Sequence, residues 1–121
     1  MKKILVIDDE KKIRKIYNKL LTAEGFEVIE SPNAMEASET MVRKNIDLVL
    51  LDIKMPEVDG STLYEVMKLF HKKAKVIVAS VYPLDEQKRI IVEADDYYDK
   101  SQGTDILLSK IKNVLGNGGM E

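Results

Sequence analysis

The sequence predicts a doubly wound α/β domain, in which helices cover both faces of a five-stranded parallel β-sheet. Short apolar runs typical of buried strands alternate with longer stretches of helical period, as in strands joined by crossover helices. With 121 residues, the chain can bury one core but is too short for two. A single domain is therefore expected over residues 1–116, followed by a glycine-containing tail or linker stump at 117–121.

Two of the predicted strands, with the sequences ILVI and LVLL, are apolar throughout and are therefore expected at the centre of the sheet. The fifth strand is the weakest of the set. The predicted strands are 3–7, 27–30, 47–51, 75–79 and 96–98.

Apolar residues at helical spacing predict the helices. In the first helix these are Ile13, Ile16, Tyr17, Leu20 and Leu21. Gly25 follows where a glycine commonly ends a helix, and Ser31 and Pro32 are expected to cap and begin the second helix. The basic residues of the first helix are expected to form a solvated face. The other apolar stripes are Ala34, Ala37 and Met41; Leu63, Val66, Met67 and Phe70; Ile90, Ile91 and Ala94; and Leu107, Ile111 and Val114.

Composition argues against several classes of function. A net charge of -2 gives no basic surface for nucleic acid. The absence of cysteine and the single histidine, His71, argue against disulfides, thiolate catalysis and a zinc site. No apolar run approaches the roughly 18 residues of a membrane span, and the N-terminal run is too short for a signal peptide. A cytoplasmic protein without a membrane or nucleic-acid partner is expected.

Acidic, hydroxyl and amine side chains directly follow the predicted strands, at the sheet edge where ligands of such folds bind. Asp8 and Asp9 follow the first strand, Asp52 the third, Ser80 the fourth and Lys100 the fifth. Crowded carboxylates repel one another, and Mg²⁺ with its oxygen ligands relieves that repulsion. This arrangement predicts attack of Asp52 on phosphorus, with Ser80 and Lys100 pairing with phosphoryl oxygens. The acidic pair could also cap the first helix, and both roles are compatible.

In this order and spacing, the motifs resemble the receiver domains of response regulators over nearly the whole chain. The segments that carry the resemblance are Asp8-Asp9, the sequence DIKMPEVDG at 52–60, Ser80, and the sequence DDYYDK at 95–100. The resemblance implies a flavodoxin-like sheet in the order 2-1-3-4-5 and a sensor histidine kinase as phosphoryl donor. A downstream effector, or an output domain beyond Glu121, is implied but not identified, and a phosphorylation-dependent homodimer is open.

The resemblance also implies roles for individual residues. Asp52 is the phospho-acceptor, and Mg²⁺ is bound by Asp9, Asp52 and the backbone carbonyl of Lys54, with Asp8 acting mainly through water. Ser80 senses the phosphoryl group. Tyr97 swings inward behind Ser80 as the switch. The neighbouring strand residue Tyr98 is expected to face the opposite way, so that one of the two tyrosines faces inward and the other outward.

Three features depart from the family pattern. Val81 replaces a very small residue, which suggests narrower access and slower loss of the phosphoryl group. Ser101 follows Lys100 in place of a cis-proline, and because a non-proline cis bond costs about 3 kcal/mol, a trans bond is predicted. The interval from Ser80 to Lys100 is short, so the fourth helix is expected to be short, shifted or mobile.

Two other functions remain as alternatives. A pseudo-receiver would keep the fold as an interaction module without being phosphorylated. A phosphohydrolase of the haloacid-dehalogenase kind would need a second acid two residues after Asp52, and Lys54 stands there instead. An enzyme acting on outside substrates is therefore not expected, beyond the domain's own phosphorylation and dephosphorylation.

Overall fold

The computed structural model describes residues 1–54, 60–71 and 73–116. The predicted alternation of strands and helices is confirmed, whereas the predicted tail at 117–121 and most of the segment after Asp52 lie outside the described residues. The elements are β1 (Lys3–Ile7), α1 (Lys11–Ala23), β2 (Glu27–Ser31), α2 (Ala34–Arg43), β3 (Leu48–Leu51), α3 (Gly60–Phe70), β4 (Lys75–Ser80), α4 (Leu84–Ile90), β5 (Asp96–Asp99) and α5 (Thr104–Val114).

The sheet is parallel and has the order β2-β1-β3-β4-β5. The wholly apolar strands β1 and β3 lie next to each other near its middle, as their sequences predict. Since β2 lies on one side of β1 and the later strands on the other, the strand order reverses at β1 and β3. In such sheets the crevice beyond the strand ends at this reversal is the usual ligand site.

Alternate residues of the strands pack into two hydrophobic cores, one on each face of the sheet. Leu5, Ile7 and Leu51 pack with residues of α2 and α3, whereas Val6 and Leu50 pack on the opposite face with residues of α1 and α5. Because helices cover both faces, consecutive strand residues are buried, and the strand sequences are continuously apolar instead of alternating.

The expectation that one of the adjacent tyrosines of β5 faces outward is wrong. Tyr97 and Tyr98 do point to opposite faces, but they are only 7% and 1% exposed. Each enters a different core, because the sheet is covered on both sides. The period of a strand therefore predicts the direction of each side chain but not whether solvent lies there.

The ends of two helices illustrate the limits of capping signals. Gly25 follows α1 with a positive φ of 92°, as predicted for a glycine beyond a helix end. The predicted start of α2 is wrong, because Ser31 completes β2 and Asn33 caps the helix instead. The Asn33 side chain accepts a hydrogen bond of 2.9 Å from the N–H of Glu36. Asparagine and serine are equally good caps, so propensity does not distinguish the two positions.

Helix α4 is short, with 7 residues, as the short interval between Ser80 and Lys100 predicts. The apolar stripe assigned to it is misplaced, because Ile91 lies beyond the helix and Ile90 is partly exposed. The buried residue of α4 is instead Gln87. None of the helices in the described part of the chain is both long and apolar enough to cross a membrane.

Candidate functional site

Asp8 and Asp52 are brought together by backbone pairing that continues one residue past the strands. The N–H of Asp52 donates to the carbonyl of Ile7 at 3.0 Å, and the N–H of Asp8 donates to that of Ser31 at 3.2 Å. Ile7 and Leu51 are in register. Because side chains alternate along a strand, the two following aspartates lie on the same face of the sheet.

The predicted acidic cluster is present. One carboxylate oxygen from each of Asp8, Asp9 and Asp52 lies within 4.8 Å of the others. Asp8 is 2% and Asp52 5% exposed, whereas Asp9 is open to solvent. Three oxygen donors with one solvent-facing member suit a hard divalent cation that keeps part of its hydration shell, so the residues present fit Mg²⁺.

Each carboxylate oxygen of Asp8 accepts one hydrogen bond. Its Oδ1 accepts a hydrogen bond of 2.9 Å from the N–H of Glu10, the residue that caps α1. Its Oδ2 accepts a bond of 2.5 Å from Nζ of Lys100. One carboxylate therefore joins the start of a helix to the end of the most distant strand along the chain.

Lys100 lies between the two buried carboxylates. Its Nζ is 2.5 Å from Asp8 Oδ2 and 3.4 Å from Asp52 Oδ2, and its side chain is 8% exposed. Burial by itself would lower the pKa of Lys100, but the hydrogen bonds and negative charges of Asp8 and Asp52 together outweigh it and raise that pKa. The ammonium group is therefore a permanent counter-charge at this sheet edge.

Asp52 is a poorly solvated carboxylate. Burial raises its pKa to about 6, against the N–H of Lys54 and the charge of Lys100, which both lower it. The Lys54 N–H donates to Asp52 Oδ1 at 3.0 Å. Asp52 is thus largely ionised at neutral pH, with an anion that burial destabilises. Coordination by the Lys54 carbonyl stays a prediction.

Ser80 ends β4 and is completely buried. Its Oγ accepts a hydrogen bond of 3.2 Å from the N–H of Tyr82, and its carbonyl accepts one of 2.8 Å from the N–H of Lys100. Val81 follows with 58% of its surface exposed. The hydroxyl, the lysine and the exposed valine therefore belong to one continuous sheet edge.

Tyr97 occupies an inward position. Its hydroxyl donates to the carbonyl of Ile91 at 2.5 Å and accepts from the N–H of Ala94 at 3.1 Å. The hydroxyl of the predicted switch residue is therefore hydrogen-bonded to the connection between α4 and β5.

The predicted trans bond from Lys100 to Ser101 is confirmed, since the described residues contain no cis peptide bond.

Sequence reasoning missed the role of Arg14. As one of the basic residues of α1, Arg14 is expected on the solvated face, yet its side chain is only 12% exposed. It donates to the carbonyl of Asp8 at 2.8 Å and to Glu30 at 3.3 Å. Its position three residues before the buried Tyr17 was the available signal, because residues at this spacing share a helix face.

The fold and the site define a class of protein: a doubly wound α/β domain with a carboxylate cluster and a buried lysine at its switch point. The family model described as "Response regulator receiver domain" matches residues 4–112. The chain belongs to this family. It is a receiver domain of two-component signal transduction, as the sequence motifs predict.

Individual relatives agree with this assignment. The chain is 34% identical to sporulation initiation phosphotransferase F of Bacillus subtilis (strain 168), over 66% of this chain and 64% of that protein. It is 33% identical to the chemotaxis protein CheY of Treponema pallidum (strain Nichols), over 93% of this chain and 82% of that protein. The chain also spans about half the length of the probable transcriptional regulators that it matches.

Among solved structures, the chain is similar to the response regulator TrrA of Thermotoga maritima in complex with Mg²⁺-BeF. The TM-score is 0.86 with 36% identity, over 94% of this chain and 99% of that chain. The described fold is therefore shared along nearly the full length of both chains.

Proposed function

We propose that this receiver domain accepts a phosphoryl group from a sensor histidine kinase onto Asp52 and changes conformation in response. The observation that carries the proposal is Lys100, whose ammonium group contacts the buried carboxylates of Asp8 and Asp52 beside the exposed Asp9. A nucleophilic carboxylate beside a fixed cation is the arrangement that a dianionic phosphoryl group requires.

The transfer uses the carboxylate of Asp52 as the nucleophile. One of its oxygens forms a bond to phosphorus while the bond to the donor breaks, and the leaving group keeps that electron pair. Lys100 already contacts the Asp52 carboxylate and is near enough to pair with a phosphoryl oxygen. The Ser80 hydroxyl accepts from Tyr82, so its own proton is available to a second oxygen.

The acidic cluster supports Mg²⁺ as the cofactor, held by Asp9, Asp52 and the Lys54 carbonyl, with Asp8 contributing through water. When bound, the ion supplies positive charge that neutralises the phosphoryl oxygens during transfer. The solved relative in complex with Mg²⁺-BeF supports the same proposal for this chain. An effector protein or domain that recognises the phosphorylated form completes the proposed pathway.

Incubation with acetyl phosphate and Mg²⁺ tests the proposal. Intact-mass measurement should show one added phosphoryl group on the wild type and none on Asp52→Asn. Asp85→Asn changes an exposed carboxylate of α4 and should be modified like the wild type. An unmodified wild type would favour a pseudo-receiver. Many turnovers of an ordinary phosphate monoester per chain would favour a phosphohydrolase.

Val81 supplies a second test of the same site. Val81→Ala should shorten the lifetime of the phosphorylated protein severalfold, because the smaller side chain opens a path for water to the phosphoryl group. The lifetime follows from the decay of the phosphorylated mass after the donor is removed. Val92→Ala, at another exposed valine after α4, is the matched control. A Val81→Ala lifetime equal to or longer than that of wild type would contradict the idea.

A further inference from the structure

Gln87 is a polar residue at the position where α4 meets the core. It is 0% exposed and is the buried residue of its helix. Burying an amide without hydrogen-bond partners destabilises the folded state, whereas an apolar side chain of similar size would avoid that cost. The hydrogen bonds of Gln87 therefore offset the cost of burying its amide.

The side-chain nitrogen of Gln87 faces three backbone carbonyls, two from the segment Ser80–Tyr82 and one from β5. It donates to Tyr82 at 2.8 Å and to Tyr98 at 2.9 Å, and it has a longer contact of 3.4 Å to Ser80. The Gln87 Oε1 is buried and has no partner among the described residues. A flipped amide would place this oxygen against three carbonyl oxygens, so electrostatics determines the orientation of the amide.

Through these contacts the Gln87 amide binds the backbone carbonyls at both ends of the segment Ser80–Tyr82. Within that segment, the N–H of Tyr82 donates to Ser80 Oγ. The carbonyl of Ser80 also accepts from the N–H of Lys100. The amide of Gln87 therefore fixes the backbone whose N–H occupies a lone pair of the Ser80 hydroxyl.

We propose that Gln87 is a positioning residue for the phosphoryl-binding hydroxyl of Ser80. By holding the carbonyls of Ser80 and Tyr82, it keeps the Tyr82 N–H on Ser80 Oγ and leaves the hydroxyl proton directed toward a phosphoryl oxygen. The inference rests on the proposed function, because it requires Ser80 to contact the phosphoryl group. It goes beyond that function by assigning the geometry of Ser80 to a residue of α4.

The test measures the affinity of the full chain for beryllofluoride, a phosphoryl mimic, in saturating Mg²⁺. Gln87→Met keeps the length of the side chain and removes its hydrogen bonds. It should weaken beryllofluoride binding about tenfold, as expected for one lost hydrogen bond in the bound state. The affinity for Mg²⁺ alone should be unchanged, because the side-chain amide of Gln87 donates to the carbonyls of Ser80, Tyr82 and Tyr98 and not to the acidic cluster.

A double-mutant cycle separates positioning from a general structural role. In a Ser80→Ala background, Gln87→Met should cause no further loss of beryllofluoride affinity. Equal losses with and without the Ser80 hydroxyl would overturn the proposal, as would an unchanged affinity of Gln87→Met. Gln87→Glu is the second variant if Gln87→Met does not fold, and its carboxylate facing the same carbonyls should weaken binding too. A wild type that does not bind beryllofluoride would instead contradict the proposed function.

Discussion

Asp52→Asn should raise the free energy of unfolding at neutral pH by up to about 3 kcal/mol when Mg²⁺ is absent. Burial raises the pKa of Asp52 from 3.8 to about 6, and each unit corresponds to about 1.36 kcal/mol. Asparagine has nearly the same shape and can still accept from the N–H of Lys54, but it carries no buried charge. Chemical denaturation of both proteins in a chelating buffer measures the difference.

The sign of the pH dependence follows from this raised pKa. Between the unfolded value of 3.8 and the folded value of about 6, the native state holds a proton that the unfolded state has lost. Wild-type stability therefore falls as pH rises through that window, relative to Asp52→Asn, and the difference is constant above it. At pH values below the window the two proteins should be about equally stable.

Replacing a surface carboxylate should not stabilise the protein as replacing the buried Asp52 does. Asp85→Asn, on the exposed side of α4, should show no comparable gain. Mg²⁺ should stabilise the wild type more than Asp52→Asn, because the variant lacks one carboxylate of the cluster. A gain for Asp52→Asn that was as large at acidic as at neutral pH would show that charge burial is not its cause.

Lys100→Met should have the largest effect in the opposite direction. The substitution leaves Asp8 and Asp52 buried without their shared cation, and breaking a buried pair in this way costs about 3–5 kcal/mol. We expect a loss of this size in the free energy of unfolding at neutral pH. Phosphorylation by acetyl phosphate should be severely impaired, because the cation that pairs with the phosphoryl group is removed.

Two measurements connect that loss to the carboxylates. Acid should reduce the difference between Lys100→Met and wild type, since protonating Asp52 removes one of the uncompensated charges. Mg²⁺ should stabilise the variant more than the wild type for the same reason. Lys112→Met removes a lysine from an exposed pair with Glu24 and should cost about 0–1 kcal/mol. Equal losses for the two lysine variants would contradict the role given to burial.

The acidic cluster was predictable because it follows from where the apolar strands end and from the alternation of side chains along each strand. Each aspartate directly follows an apolar run, and parallel strands end at the same edge of the sheet. Once β1 and β3 are neighbours, alternation places Asp8 and Asp52 on one face. Lys100 was predicted as part of the same edge, although its two ion pairs depend on the packing of β5.

Other parts of the site were not predictable from local pattern. Arg14 looked like one member of a basic helix face, and only the position of β2 beside α1 gives it Glu30 as a partner. Gln87 matches no motif, and as a polar residue it does not belong to the apolar stripe predicted for α4. Its three carbonyl partners belong to segments that come together only when β4, α4 and β5 have packed.

The sequence by itself determined the order of strands and helices, the two central strands and the identity of the acidic, hydroxyl and lysine residues at the sheet edge. These follow from periodicity and from the positions at which apolar runs end. Only the tertiary structure decided that both tyrosines of β5 are buried, that Asn33 caps α2 in place of Ser31, and that Lys100 contacts Asp8 and Asp52. The physical reason is that burial and side-chain pairing depend on which distant segments cover a residue, and a local pattern carries no information about that cover.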